Sequence, residues 1–321
     1  MQISRSYNQQ ANPKPLQVVV GVVKNSAGQI LISLRGENLH QSGFWEFPGG
    51  KIEAGETVEQ ALARELKEEL DITVCSASPL ITINHKYPDL AVRLHVFSVE
   101  TYSGAVKSGE GQPFLWVNPE DLVNYAFPAA NRPIIAATRL PHYYAILDDY
   151  DPTLLLINLM KMLDKGIKLI QARLKTLSVA EVERFLEQAY PLCKANNAWL
   201  LLNSGVKNAK SYDVDGLHLT SADLLACEQR PENKQWVAAS CHNLDELRHA
   251  ENIGIDFVVL APVLPTPTHP DAKVLGWDQF TGLVTETNLP VYALGGLIAL
   301  DLIKAKAVGA QGMAGVRAFL E

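Results

Sequence analysis

YYAILDDYDPTLLLINLMKMLDKGIKLIQAR, residues 143–173, sets an apolar run, a helical pattern and a second apolar run in succession. Neither run alternates as a strand with one wet face would. Both therefore read as strands covered on two sides, and strand, helix, strand is the unit of a parallel sheet. Downstream the same rhythm continues through WLLLN (199–203), GLHL (216–219), WVAAS (236–240), DFVVLAPV (256–263), PVYALG (290–295) and QGMAGV (311–316). With YYAIL and KLIQAR this makes eight strands separated mostly by helical patterns, the number that closes a (β/α)8 barrel.

Upstream the rhythm stops near Arg139 to His142, where Pro141 interrupts a helical pattern. The chain of 321 residues has room for two domains at ~100 to 200 residues each. We therefore divide it into a disordered tail over 1–14, a first domain over 15–140 and the barrel over 141–321. In the first domain, Leu16 to Val23 and Gln29 to Leu34 flank Asn25-Ser26-Ala27-Gly28 and predict a hairpin. Thr57 to Leu70 predicts a helix with Thr57 and Gln60 as a capping box. Further strands are expected at Ile81 to Lys86 and Ala91 to Glu100, and a short helix at Pro133 to Leu140.

Composition narrows the partners. Lysine and arginine number 12 against 14 acids up to Leu140, and 16 against 21 beyond it. Neither half carries a basic footprint, which argues against duplex nucleic acid. The four cysteines form no C-x-x-C pair, as expected of a reducing cytoplasm. No apolar run approaches the ~20 residues that cross a bilayer, and the polar N-terminus lacks a signal-peptide core. A cytoplasmic protein without a membrane partner is expected.

Within the helix, Glu65, Glu68 and Glu69 fall at i, i+3 and i+4, on one side of the helix. Val58, Ala61, Leu62, Leu66 and Leu70 form its apolar stripe; Glu69 lies inside that stripe and Glu65 at its edge. Carboxylates gathered on an inner face call for a countercharge, and a hard cation such as Mg²⁺ or Mn²⁺ prefers their oxygens. An ordinary charged helix is the competing reading. Arg64 can hold one carboxylate in a bidentate pair, and Gly49 and Gly50 let backbone approach a metal or phosphate closely.

Gly50, Glu56, Arg64, Glu65, Leu66, Glu68, Glu69 and Ile72 resemble the Nudix box, G-x5-E-x7-R-E-U-x-E-E-x-G-U, with Asp71 where the box has Gly. That Gly sits past the helix end in a left-handed conformation, which Asp tolerates better than most residues. The resemblance runs from about Leu16 to Leu140. It implies a Nudix α/β/α sandwich with a mixed sheet and looks like the MutT type, whose members hydrolyse 8-oxo-dGTP to the monophosphate and pyrophosphate. FWEFPGGKIEAGE precedes the helix as in that type. FPAANRPI (127–134) resembles its base-reading segment, which makes Asn131 the base-recognition candidate; a helix N-cap is the alternative role. The resemblance implies metal ligation by Glu65, Glu68, Glu69, Gly49 and the loop carboxylate Glu110. Catalytic roles fall to Glu65, Glu68, Glu69 and Arg64, with Glu68 or Glu110 as the base. Arg35 is a phosphate candidate or a plain strand-end arginine, and Gly49 and Gly50 are substrate-binding candidates.

In the barrel, polar residues recur at strand ends: Gln171, Arg173 and Lys175, then Asn203, His218, Ser240 and His242. Gly295-Gly296 and Gly315 offer backbone N–H groups after the last two strands, where barrels bind phosphate. IQARLK, NSGVKNAKSYDVDGLHLTSADL, SCH and APVLPTPTHP resemble the thiamine-phosphate synthases and their TenI-type relatives over about 143–319. Ser204 stands where that family has a metal-ligating Asp, with Asp223 retaining the second, and His269 stands for a Lys. The resemblance then implies a degenerate synthase that binds thiazole phosphate or a related monophosphate at Gln171, Arg173, Lys175, Asn203, Ser240, Gly295, Gly296 and Gly315. Only four residues follow Arg317, and residues 131–140 are expected to cover the side of the barrel where an eighth helix would lie. A homodimer is possible on this reading. The rival readings are hydrolysis of thiamine-related pyrophosphates, and a barrel that serves as a phosphate-ligand regulatory module.

Overall fold

A computed structural model of the chain describes residues 14–36, 43–88, 90–109, 111–266 and 271–320. Residues 1–13 of the expected tail, Glu110 and His269 lie outside the described residues.

The first unit contains β1 (Leu16–Val23), β2 (Ile30–Leu34), β3 (Trp45–Glu46), α1 (Val58–Leu70), β4 (Thr73–Lys86), β5 (Ala91–Ser103), β6 (Phe114–Val117) and α2 (Arg132–Arg139). Its strands form two three-stranded sheets, ordered β1-β5-β4 and β3-β2-β6. In the first, β1 runs parallel to β5 and β4 antiparallel to it, so the mixed sheet is present but is one of a pair. The expected hairpin is a turn without a ladder. Asn25 and Gly28 close it, yet β1 and β2 meet only at the bridge Lys24↔Ile30 and then enter different sheets. The free edge of β1 is occupied instead by residues 48–52: Val19 and Gly21 donate to the carbonyls of Gly50 and Pro48, and Ile52 donates to Gln17. That pairing holds the glycine pair against the sheet.

β4 begins eight residues before the expected Ile81, because TVCSASPL carries serines and a proline that hide a strand. Register shifts at Val74/Ser76, Ser76/Ala77 and Pro79/Ile81 accommodate them. Helix α1 has the expected capping box, Thr57 with Gln60, a feature contributing about 1 kcal/mol. Asp71 ends it at φ 55°, ψ 29°, the left-handed position that the box gives to Gly. Ala61, Leu62, Leu66 and Leu70 are buried, and the helix crosses β1 at Gly21, where a Cβ would press on Leu66 and Leu62 at 3.1 to 3.3 Å.

The second unit is a closed parallel barrel made of all eight expected strands: β7 (Tyr143–Asp148), β8 (Leu169–Arg173), β9 (Trp199–Asn203), β10 (Gly216–Leu219), β11 (Trp236–Cys241), β12 (Phe257–Leu260), β13 (Val291–Ala293) and β14 (Gly312–Gly315). Around it lie α3 (Leu155–Asp164), α4 (Val179–Ala195), α5 (Ser221–Ala226), α6 (Leu244–Ile253), α7 (Gly276–Val284) and α8 (Leu302–Ala307). Among the described residues no helix is long and apolar enough to cross a membrane.

The segment joining the units does not cover the barrel's side. Leu140 enters the interior cluster with Tyr144, Leu169, Leu201, Trp236, Phe257 and Tyr292. The Arg139 guanidinium lies 4.6 Å over the Trp236 ring, and Gln311 Nε2 donates to the carbonyls of Ala137 and Leu140 at 3.1 and 2.8 Å. Because Trp236 begins its strand, α2 closes the floor of the barrel, opposite the strand ends that carry the polar residues.

Candidate functional site

The chain turns at Gly49 with φ 145°, and a Cβ there would lie 2.2 Å from the Val19 carbonyl oxygen. Only glycine passes so close to β1. The Gly49 N–H then donates to Glu69 Oε2 at 3.0 Å, and a Cβ on Gly50 would strike the Glu65 carboxylate at 2.4 Å. Glu65 and Glu69 thus face a backbone cradle made by the glycine pair. Glu68 does not join them: it is 57% exposed and bonds Arg64 Nη1 at 3.1 Å. Arg64 also grips Glu56 through Nε at 2.7 Å and Nη2 at 3.0 Å, Glu65 through Nη1 at 2.9 Å, and the Lys51 carbonyl at 3.0 Å. With its guanidinium so occupied, Arg64 acts by positioning its neighbours.

The loop after β5 is pressed onto the end of α1. Gly109 N–H donates to the Glu69 carbonyl at 2.7 Å, and a Cβ on Gly109 would overlap the Glu68 carbonyl oxygen at 1.9 Å. Among the described residues no three His, Cys, Asp or Glu side chains are placed to hold an ion together. The candidate donors Glu65 and Glu69 nevertheless offer only oxygen, and the cradle leaves room for no side chain beside them, a chemistry that fits a hard divalent cation.

Arg64 draws the Glu56 carboxyl from 4.5 down to about 2, with help from the Glu53 N–H. A carboxylate with a lowered folded-state pKa stabilises the fold above its ordinary pKa and loses that contribution as the pH falls through the folded value. The stability gap between the wild type and Glu56→Gln, measured by urea unfolding, is therefore expected to close between pH 4.5 and about 2. A gap unchanged down to about pH 2 would show that the Arg64 pair does not stabilise the charged form.

The remaining first-domain candidates are placed as follows. Arg35 pairs with Glu46 across β2 and β3, so a phosphate would compete with that carboxylate. Asn131 is buried at 8% exposure and starts α2, but its side chain makes no cap hydrogen bond, so it is an N-cap in position only. It finds no other partner among the described residues. Just before it, Phe127 stacks on Phe47 of the FWEFPGG segment at 5.2 Å.

At the barrel's C-terminal mouth a cavity of about 690 Å³ brings together Gln171, Arg173, Lys175, Asn203, Ser240, Gly295, Gly296 and Gly315. The sequence reading missed the contributions of Thr220, Ser221 and Arg317, which also line it. Ser204 Oγ donates to Asp223 Oδ2 at 2.5 Å, and Thr220 Oγ1 donates to the same oxygen at 2.6 Å. These hydroxyls, Ser204 first, hold the Asp223 carboxyl below its usual range. Neutral donors thus occupy the oxygen that a second carboxylate and a cation would otherwise contest.

Comparison with known proteins finds two families along the chain. Residues 19–137 match the model of the NUDIX domain, and residues 143–319 match that of thiamine monophosphate synthase. The 8-oxo-dGTP diphosphatase of Escherichia coli is 42% identical over 123 residues, 38% of this chain and 95% of that protein. The CTP pyrophosphohydrolase of the same organism is 32% identical over 39% of this chain and 91% of its own length. The thiamine-phosphate synthase of Caldivirga maquilingensis is 30% identical over 185 residues, 57% of this chain and 90% of its own.

Proposed function

We propose that this chain, which belongs to the Nudix family through residues 19–137 and to the thiamine monophosphate synthase family through residues 143–319, hydrolyses 8-oxo-dGTP to the monophosphate and pyrophosphate. The observation that carries this reading is the inward pair Glu65 and Glu69 against the glycine cradle, with Gly49 N–H on Glu69. Glu65, Glu69, the Gly49 carbonyl and Glu110 would hold Mg²⁺ or Mn²⁺, with Glu68 as a further oxygen donor if it leaves Arg64. The bound ion would neutralise the triphosphate and lower the barrier to attack by water at phosphorus.

The chain's own groups do the rest. Arg64 fixes Glu65 and Glu56 in place, so the inward carboxylates are oriented before substrate arrives. A carboxylate neighbour, Glu68 or Glu110, accepts the proton of the attacking water; the new P–O bond forms as the bond to the departing pyrophosphate breaks. Asn131 offers a donor and an acceptor to the purine edge.

Asn131→Ala is expected to lower the preference for 8-oxo-dGTP over dGTP by about 1 to 3 kcal/mol, roughly five- to 150-fold in the ratio of kcat/KM values. Hydrolysis of dGTP should persist. A ratio that does not move places base recognition elsewhere.

The barrel, on this proposal, binds a phosphate monoester such as thiazole phosphate and forms little thiamine phosphate, because Ser204 and Thr220 satisfy Asp223 where the family uses a second carboxylate. A hydrolysis screen of the full chain against 8-oxo-dGTP, the canonical nucleotides including CTP, and thiamine pyrophosphate tests the first domain. Turnover of thiamine pyrophosphate with none of 8-oxo-dGTP would overturn the nucleotide reading in favour of a thiamine-related one.

A further inference from the structure

Helix α2 serves two cores at once. Ile134 is buried in the first unit with Ile83, Val117 and Leu122, whereas Ala136 packs on the barrel-floor cluster that Leu140 enters. With eight residues, Arg132–Arg139, the helix is shorter than the ~12 to 15 residues that hold together alone in water. Each end also lacks one of its usual local partners. At the C-terminus Pro141 stands where an N–H would bond the Ala137 carbonyl, and proline has none to give. Gln311 of the barrel supplies the missing donor, its Nε2 meeting that carbonyl at 3.1 Å and the Leu140 carbonyl at 2.8 Å. At the N-terminus the Asn131 side chain makes no cap hydrogen bond. There Arg132 reaches across to the barrel: Nη2 donates to the Gly254 carbonyl at 3.0 Å and lies 3.6 Å from Asp256 Oδ1. Asp256 is a fixed point, because its other oxygen accepts from Arg230 Nη2 at 2.6 Å and from the Val237 N–H at 2.7 Å.

Asn131 sits directly before these ties. On its N-terminal side the chain is held by the first unit, the Ala126 carbonyl accepting from the Trp45 N–H at 2.8 Å and Phe127 stacking on Phe47. On its C-terminal side the next residue, Arg132, is held by the barrel. Behind the segment lies a cavity of about 550 Å³ between the two units, with residues 127–130 on one wall and Trp236, Gly254 and Asp256 on the other. A segment backed by a cavity has few packed contacts and low local stability, so its ties fix its position.

We propose that the barrel floor is part of the hydrolase's specificity apparatus: Arg132, tied to Gly254 and Asp256, and Gln311, bonded to the end of α2, are positioning residues that hold Asn131 in register with the base. The inference rests on the reading of Asn131 as the base-recognition residue. An amide that reads a donor and an acceptor together must be held to within about 0.5 Å. Glu65 and Glu69 stand on α1, outside these ties, so the ties act on recognition of the base and not on the chemical step. The barrel thereby has a role that requires no synthesis.

Arg132→Met keeps the aliphatic stem and removes the donors, and the Arg132 side chain is 63% exposed, so the core stays intact. In the full chain this substitution is expected to raise KM for 8-oxo-dGTP by about three- to tenfold and to leave kcat within about twofold. Arg132→Lys should recover part of the loss, and Gln311→Met should repeat it from the other end of α2. The units stay joined through Asn288, whose Nδ2 donates to the Asn84 carbonyl at 3.0 Å and whose Oδ1 accepts from the Asn84 N–H at 2.6 Å. In an Asn131→Ala background the effect of Arg132→Met should vanish, because residues that act as one unit do not add. Hydrogen exchange of the nucleotide-free chain reads the tie itself: the N–H groups of residues 129–135 should exchange faster in Arg132→Met, and unchanged exchange overturns the tie. An unchanged KM with faster exchange overturns the positioning role. So does a KM rise that persists in the Asn131→Ala background, or a fall in kcat of the same size for 8-oxo-dGTP and dGTP. A wild type that turns over no 8-oxo-dGTP overturns the nucleotide reading and with it the role of Asn131, while faster exchange in Arg132→Met still upholds the tie.

Discussion

Glu69→Gln is expected to reduce triphosphate hydrolysis by about three orders of magnitude or more while the protein stays folded. The substitution keeps the side chain's shape and an oxygen for the Gly49 N–H, which lies 3.0 Å from Glu69. What it removes is one negative charge from the inward pair. A neutral amide is a poor ligand for a hard cation. A metal ion at a phosphoryl centre contributes several kcal/mol to the transition state, and about 4 kcal/mol corresponds to three decades in rate. Stability should move the other way. Glu65 and Glu69 are like charges four residues apart on α1, so neutralising one relieves a repulsion of roughly 0.2 to 0.5 kcal/mol. The measurement is kcat in saturating Mg²⁺ together with thermal unfolding. An unchanged kcat in a folded variant would remove Glu69 from the metal site.

What was legible in the sequence follows from which physical signals are local. The barrel was legible because each strand is apolar on both faces and each helix has its own period, so eight local patterns announce one global closure. Helix α1 was legible down to its cap for the same reason, and Asp71 could be placed in a left-handed turn because it stands where the Nudix box has Gly. The two sheets of the first unit were not. Whether β2 pairs with β1 depends on residues 48–52 arriving to occupy the β1 edge, an interaction no local pattern encodes. Likewise the spacing of Glu65, Glu68 and Glu69 fixed their common side of the helix, whereas the outward turn of Glu68 is set by competition for one guanidinium. The role of α2 as a barrel floor was hidden because Leu140 and Trp236 lie almost a hundred residues apart in the chain.

The wild-type barrel is expected to form thiamine phosphate at least about a thousandfold more slowly than a Ser204→Asp/His269→Lys variant, since each restored group aims charge at a departing pyrophosphate and such groups are worth roughly two to three decades apiece. The first substitution has a physical consequence that can be read without catalysis. A carboxylate at position 204 would lose the hydrogen bond that Ser204 now gives to Asp223 at 2.5 Å and set two negative groups side by side. Two carboxylates so close cannot both ionise freely, so one takes up a proton or a cation enters between them. Ser204→Asp should therefore melt at a lower temperature than the wild type in the absence of Mg²⁺ and recover when Mg²⁺ is added, whereas the melting of the wild-type barrel should not respond at this position. Rapid synthesis by the wild type would mean that Asp223 and its hydroxyl neighbours suffice for pyrophosphate departure, and the barrel would then be a working synthase joined to a hydrolase.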